Sequence, residues 1–464
     1  MPTRSASLRA FGATLLLALL LVVGCNTETP PDTPAVSTAD SASVHDAVIY
    51  EMFIPDFSEE GTFRSAMARF DHLEKLGVNT IWLMPIHPIG EERAKTDIGP
   101  LGSPYSIRDY YAVNPDYGSE ADFRAFVDSA HARDMRVIID LVANHTAWDH
   151  PWLDEHPEWY EDGPINGFTV PVMDGDTTDW TDVVQLDYDN PELRNEMIAM
   201  MQYWVREYDI DGYRADVAGL VPQDFWTRAI DSLEAVKDPV FMLAEDEHPA
   251  MHEAGFDLTY AWPFYGAMAE TWEEGRSLSE LVETIESVED NLPDGALRMR
   301  FSTNHDETAW DAPPPALFGG LEGSKTAFVF ATTLPGVPLI YNGQELGVQE
   351  PVPFFEATPY DWKADSTLMP FYTEYMQVYT ESEALRRGTL DILTPNSDDA
   401  LLYRRVADAE ELLIAINVRD TEVRIDLPAD HQGRPWTDVF SGESLTPDRF
   451  TLAPHEHRIL RAAE

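Results

Sequence analysis

The sequence predicts an α/β fold in which parallel strands close into a barrel, followed by an antiparallel β-domain, and three observations predict it. Short apolar runs such as NTIWLMP (79–85) and VFMLA (240–244) alternate with longer segments whose apolar residues recur at helical spacing. That is the pattern of repeated strand, helix, strand units. Three carboxylates, Asp216, Glu245 and Asp306, each follow an apolar run, and in a parallel barrel the carboxyl ends of the strands converge on one face. Past about residue 388 the pattern changes to short alternating runs, LLYRRVA, ELLIAINV, EVRIDL and HRILRAA, separated by Asp, Pro and Gly, which reads as antiparallel strands.

Each element follows in order. AVIYEMFI (47–54) is a first buried strand, FRSAMARFDHLEKLG (63–77) a helix ending in Gly77, and NTIWLMP the second strand. Residues 86–112 form a long connection at its carboxyl end, where barrel sites lie. SEADFRAFVDSAHARDM (119–135) is a capped amphipathic helix, and RVIIDLVANH (136–145) the third strand. Residues 146–190 carry Trp148, Trp152, Trp159 and Trp180 with little periodicity. PELRNEMIAMMQYWVREY (191–208) opens with Pro in its first turn, as helices often do. GYRADV, a helix over 222–236 and PVFMLAE come next. GFDLTYAWPFYGAM (255–268) is the sixth strand and its loop, with Trp262 and Phe264 expected to line a cleft. LSELVETIESVEDN (278–291) is a helix leading to the strand before Asp306, and TAFVFATTLPGVPLIYNGQELG (326–347) supplies the last helix and strand. Eight strands can be placed in all.

With 464 residues, 44% of them hydrophobic, and 12 Trp, the chain can build more than one domain. Arg4 and Arg9 precede an apolar run from Leu15 to Val23, then Gly24 and Cys25. The run is shorter than the ~20 residues that a bilayer needs, so residues 1–25 read as a signal peptide. LVVGC resembles the lipobox of bacterial lipoproteins, which implies that Cys25 becomes a lipid anchor. Cys25 is the single cysteine, which excludes an intramolecular disulfide. Residues 26–44, rich in Pro, Ser and Thr, read as a flexible tether. The formal net charge is −52, from 83 acidic and 31 basic residues, which excludes nucleic acid as a partner. Self-repulsion of that size calls for screening by salt, and we expect a salt-adapted protein.

Arg214 and Asp216 stand two apart at a strand's end, so both face one site, where the guanidinium would hold the carboxylate ionised. An isolated pair of this kind is an ordinary ion pair; Glu245 and Asp306 give it the company of a site. DLVANH (140–145), GYRADV (212–217), FMLAE (241–245) and FSTNHD (301–306), with GVNTIWLMP (77–85) and LPGVPLIYNGQELG (334–347), together resemble the α-amylase family of glycoside hydrolases.

The resemblance implies a (β/α)8 TIM barrel over residues 45–145 and 191–387, with a short domain (146–190) inserted after the third strand and a C-terminal β-domain (388–464). It implies that Asp216 is the nucleophile, Glu245 the general acid and base, and Asp306 the transition-state stabiliser, with His145, Arg214 and His305 around the sugar. SPYSIRDYY (103–111) resembles the family's aromatic platform, so Tyr105 either stacks on that sugar or packs its loop on the barrel. Asn144 matches a calcium ligand of many relatives, but Gly219 and Leu220 stand where those relatives have Lys-His. No metal or other cofactor is expected to be required, and calcium is not supported by the motifs. The expected function is retaining hydrolysis of α-1,4-linked glucans by an exported protein lipid-anchored to the cell envelope. An exo-acting α-glucosidase or a transglycosylase is the alternative among enzymes, and a lipid-anchored glucan-binding protein the alternative from another class.

Overall fold

The structure, a computed structural model, describes residues 44–362, 367–394 and 396–463. The expected signal peptide, the expected lipidation site Cys25 and nearly all of the expected tether lie outside the described residues. Eight strands form the barrel: β1 (Ile49–Met52), β2 (Thr80–Leu83), β3 (Arg136–Leu141), β4 (Gly212–Ala215), β5 (Phe241–Ala244), β6 (Leu258–Tyr260), β7 (Leu297–Arg300) and β8 (Val337–Tyr341). Each pairs in parallel with its neighbours in sequence, and β1 closes the ring on β8, with Ile49 opposite Leu339. The strands are buried on both faces, so they read as nearly unbroken apolar runs. Four of them carry buried charges: Glu51 in IYEM, Asp140 in RVIIDL, Arg214 in GYRA, and Arg298 and Arg300 in LRMR. The first three of these interruptions build the site.

The caps agree with the sequence. Ser119 and Asp122 form a reciprocal capping box at the helix Glu120–His131. Asn190 accepts from the backbone N–H of Glu192 and Leu193 ahead of the helix Pro191–Tyr208. Gly77 has φ +69°, and a Cβ there would meet Thr380 Cγ2 at 2.8 Å, so both backbone and space require glycine.

The expected helix over 63–77 is instead two short ones, Phe63–Met67 and Phe70–Lys75. The break falls at Arg69, whose guanidinium lies 4.3 Å over the Trp362 ring. A second expectation fails at β6, because the following helix Trp262–Glu273 begins two residues after the strand. No loop is left to carry Trp262 and Phe264 into a cleft. Phe264 is buried against Phe330 and Arg300, and Trp262 packs on Tyr260 and Phe301.

Between β3 and β4 the insert is built from small antiparallel pairs, the first joining His145–Ala147 to Val183–Gln185. Trp148, Trp152 and Trp159 are buried in the same apolar core as the barrel. The C-terminal domain has a six-stranded antiparallel sheet and a separate pair, Val423–Asp426 with Arg449–Leu452. Their facing sides bury Leu402, Leu413, Ile425, Trp436 and Phe450. The sheet's other face meets the barrel through Arg405, which donates to the carbonyl of Thr333.

Candidate active site

Asp216 and Glu245 each stand one residue beyond a strand, and the sheet ladder still holds them. The Asp216 N–H donates to the Leu141 carbonyl at 3.0 Å and the Glu245 N–H to the Ala215 carbonyl at 3.0 Å. Strand geometry therefore delivers both carboxylates to the same rim. Between them lies Val217, with φ +37° and ψ +49°. A β-branched residue in that region is strained. Its N–H donates to Glu245 Oε2 at 2.6 Å, so the strained turn presents a donor to the expected acid.

Arg214 lies beneath the pair and has no exposed surface. Its Nη1 donates to Asp140 Oδ1 at 2.8 Å and to Asp216 Oδ1 at 2.9 Å, and its Nη2 lies 2.9 Å from Glu245 Oε2. The guanidinium also stands 5.0 Å over the Trp82 ring. One cation thus serves three carboxylates, where the sequence suggested one. Burial raises the Asp216 carboxyl above its ordinary range against the pull of Arg214, so the guanidinium does not simply hold it ionised. Burial pushes Glu245 up to about 8, with the charges of Asp216 and Asp306 adding and Arg214 opposing. Two neighbouring carboxyls with separated proton affinities divide into a base or nucleophile and an acid.

Asp306 follows β7 through the buried stretch from Ser302 to His305. His305 Nε2 lies 3.3 Å from Asp306 Oδ2 and 2.7 Å from the Tyr105 hydroxyl, and its Nδ1 lies 2.5 Å from Glu51 Oε1. Burial alone would depress this histidine, but the carboxylates of Asp306 and Glu51 override it and raise it to about 9. His305 is therefore a cation at neutral pH. The Tyr105 hydroxyl donates onward to Asp140 Oδ2 at 3.2 Å, and its ring lies nearly parallel to the His305 ring at 5.4 Å. A continuous network runs from Glu51 on β1 through His305, Tyr105 and Asp140 to Arg214 and the two rim carboxylates.

These groups line a cleft of about 380 Å³. Tyr105, His145, Asp216, Glu245, His305 and Asp306 all face it, with Arg214 underneath. His145 is buried, which lowers its proton affinity and favours the neutral ring, and it packs 5.7 Å from Trp180 of the insert. The structure thus brings all seven expected site residues together.

Sequence reasoning gave no role to Glu51, Asp140 or Trp82, nor to the cleft residues Lys95, Asp182, Trp310, Phe354 and Phe355. The available signal for the first two was a carboxylate inside an otherwise apolar strand, which burial makes costly unless it is paired.

The amide nitrogen of Asn144 lies 3.3 Å from His145 Nδ1. Among the described residues no group of three or more His, Cys, Asp or Glu side chains is assembled to hold an ion. Gly219 brings no side chain, and a Cβ there would lie 2.0 Å from Asp246 Oδ2. The Asp246 carboxylate takes the space above Gly219 and accepts from the His248 ring at 2.8 Å.

Residues 35–171 and 177–370 match the alpha amylase catalytic domain, and residues 390–459 match the maltogenic amylase C-terminal domain. Alpha-amylase MalA of Haloarcula japonica is 28% identical over 451 residues, an alignment that covers 90% of this chain and 63% of MalA. The crystal structure of a noncanonic maltogenic alpha-amylase, AmyB of Thermotoga neapolitana, superposes with a TM-score of 0.80 at 31% identity, covering 90% of this chain and 99% of AmyB. An alpha-amylase structure from Lactobacillus plantarum also gives 0.80, at 27% identity and with 90% and 99% covered. With its catalytic-domain match spanning most of the barrel and its fold shared over nearly the full length of AmyB, the chain belongs to the α-amylase family of glycoside hydrolases.

Proposed function

We propose that this protein hydrolyses α-1,4-glucosidic bonds of starch-like glucans and maltooligosaccharides by a retaining double displacement. The observation that carries the reading is the single buried guanidinium of Arg214 bound to both Asp216 and Glu245 at the rim of the cleft. Two carboxylates tethered to one cation are close neighbours, as retaining enzymes need, with carboxyl groups ~5 Å apart. The names of the relatives, alpha-amylase and maltogenic alpha-amylase, support starch-like glucans as the substrate class.

Asp216 attacks the anomeric carbon while Glu245, protonated because burial raises it to about 8, gives its proton to the leaving oxygen. The bond from carbon to leaving oxygen breaks as the bond to Asp216 forms. Glu245, now a carboxylate, takes a proton from water, and the resulting hydroxide displaces Asp216 to give a product of retained α configuration. Asp306 and the protonated His305 hold hydroxyls of the distorted sugar, and these bonds strengthen as its ring flattens. Neutral His145 donates to the sugar from the insert side.

Asp216→Asn should lower kcat by about 10³-fold or more with an unchanged Tm, because the amide keeps the shape and loses the nucleophile. Near-normal turnover in that variant would sink the assignment. Export and lipid anchoring through Cys25 belong to the same reading, supported by the apolar run that ends in LVVGC. Labelled palmitate should enter the wild-type protein in bacterial cells and not the Cys25→Ala variant.

A further inference from the structure

The connections at the site face of the barrel are unequal. After β4 and β6 the chain enters a long helix within a few residues, at Gln223 and Trp262, and after β5 it makes only the short helix Ala250–Ala254 before β6. After β2, β3, β7 and β8 the segments 84–119, 142–190, 301–319 and, as far as it is described, 342–362 hold at most short helices. Strands β7, β8, β1, β2 and β3 are consecutive round the ring. The long segments therefore lie along one arc, interrupted only by β1, and the connections over β4 to β6 are shorter.

The arc of long segments is joined into one wall. The Leu101 N–H, in the segment after β2, donates to the Phe355 carbonyl after β8 at 2.9 Å. Buried Gly99 passes so close that a Cβ would lie 2.4 Å from that same oxygen, so the two segments meet backbone to backbone. On its other side the segment after β2 is fastened to the insert. The Glu91 N–H donates to Asp149 Oδ2 at 3.0 Å, and the Arg93 guanidinium lies 3.7 Å over the Trp148 ring. Trp310, just past Asp306, packs edge-on against Phe354 and Phe355 with centroids 5.7 and 5.8 Å away. It carries the wall across to β7 with its ring 59% exposed.

The chemistry says which end of the substrate meets this wall. The acid must stand beside the leaving group, and Glu245 stands on β5, on the arc of shorter connections. In the reading above, the sugar that becomes attached to Asp216 is held by Asp306 and His305 after β7, on the walled arc. In an α-1,4-glucan that sugar lies on the non-reducing side of the bond.

We propose that the wall formed by the segments after β2 and β8 limits the non-reducing side of the cleft, so that the enzyme works inward from free non-reducing chain ends and releases short products. The proposal rests on the hydrolytic reading above. The test uses the full chain and maltoheptaose carrying a fluorescent label at its reducing end, with the non-reducing end either free or capped as a 4,6-ethylidene acetal. Free substrate should shorten from the unlabelled end by a fixed step, and the capped one should be cleaved at least about tenfold more slowly, because the cap must fit against the wall.

Equal rates on the two, with internal cuts, overturn the chain-end mode and leave the hydrolase reading standing. Cleavage of neither at any salt concentration overturns both. Two variants then address the wall itself: replacement of residues 92–102 by two glycines, and Leu101→Pro, which removes the N–H bonded to Phe355 along with the Leu side chain. In each that folds, the ratio of free to capped rates should fall to within about twofold. An unchanged ratio in the folded loop replacement would show that the wall does not set it.

Discussion

Glu245 and Asp216 share one guanidinium yet must do opposite jobs, so the pH dependence of the reaction should report how burial divides them. In the proposed mechanism Glu245 acts while protonated, and its carboxyl is raised to about 8; Asp216 acts while ionised, and burial raises it from 3.8. We predict a bell-shaped profile of kcat/KM whose alkaline limb falls as pH rises through about 8, with Glu245→Gln removing that limb along with most of the activity. An alkaline limb unchanged in residual Glu245→Gln activity would assign it to another group. Glu51 offers a second test, since it is the buried counter-ion of His305. Glu51→Gln leaves a buried cation beside a neutral amide and should cost about 3 kcal/mol of stability. It should also move the loss of His305 charge below its present value of about 9, visible by NMR of the imidazole. The sequence displayed Asp216, Glu245 and Asp306 because each ends an apolar run. It hid Glu51, because its partner is His305, 254 positions away, and no spacing rule relates the two.

At the scale of the element, the turn after β4 decides how the site is presented. Val217 holds a left-handed conformation that costs on the order of 1–3 kcal/mol for a β-branched residue, and through it the N–H reaches Glu245. Val217→Gly should therefore leave Tm unchanged or raise it, since strain is relieved, while kcat falls by about tenfold as the donor to Glu245 loosens. A lowered Tm with normal kcat would show that the turn serves packing alone. Gly219→Ala meets Asp246 instead. The added Cβ must displace a carboxylate otherwise 2.0 Å away, so the contact between Asp246 and His248 should be lost, measurable as a change in the NMR chemical shifts of the His248 ring. Strands, caps and the Gly77 stop were legible because each depends on a few consecutive residues. The break at Arg69 was not, because it answers to Trp362, nearly three hundred residues on. The WPFY run after β6 was misread for a related reason. Aromatic residues suit either a cleft or a core, and only the abrupt start of the helix at Trp262 assigns them to the core.

For the whole molecule the dominant quantity is charge. With 83 acidic and 31 basic residues, many of the arginines are already engaged, as Arg404 is with Asp391 and Glu411, and Arg434 with Glu411. Such partly exposed pairs each contribute at most ~1 kcal/mol, so they do not offset the repulsion among the unpaired carboxylates. Raising salt from about 0.1 M to about 1 M shortens the screening length from ~10 Å to ~3 Å, and Tm should rise by several degrees over that range. A second contribution depends on pH rather than on salt. Burial raises Asp56 and Asp257 from 3.8 to about 7. A carboxyl whose folded value lies above its unfolded one contributes stability that is full below about 3.8 and is lost as pH rises through about 7. Tm should therefore fall from about pH 5.5 to about pH 8 as the two raised carboxyls ionise. Surface carboxylates are already ionised over that range, so about 1 M salt should raise Tm throughout and leave the fall in place. Asp257→Asn keeps an acceptor for the Met242 N–H, which donates to the Asp257 carboxylate at 2.8 Å, and removes one titrating group. It should flatten the slope at high salt. A Tm indifferent to salt at pH 8 would mean that the acidic surface is tolerated without screening, and an unaltered high-salt slope in Asp257→Asn would assign the remainder to other raised carboxyls such as the half-buried Glu307.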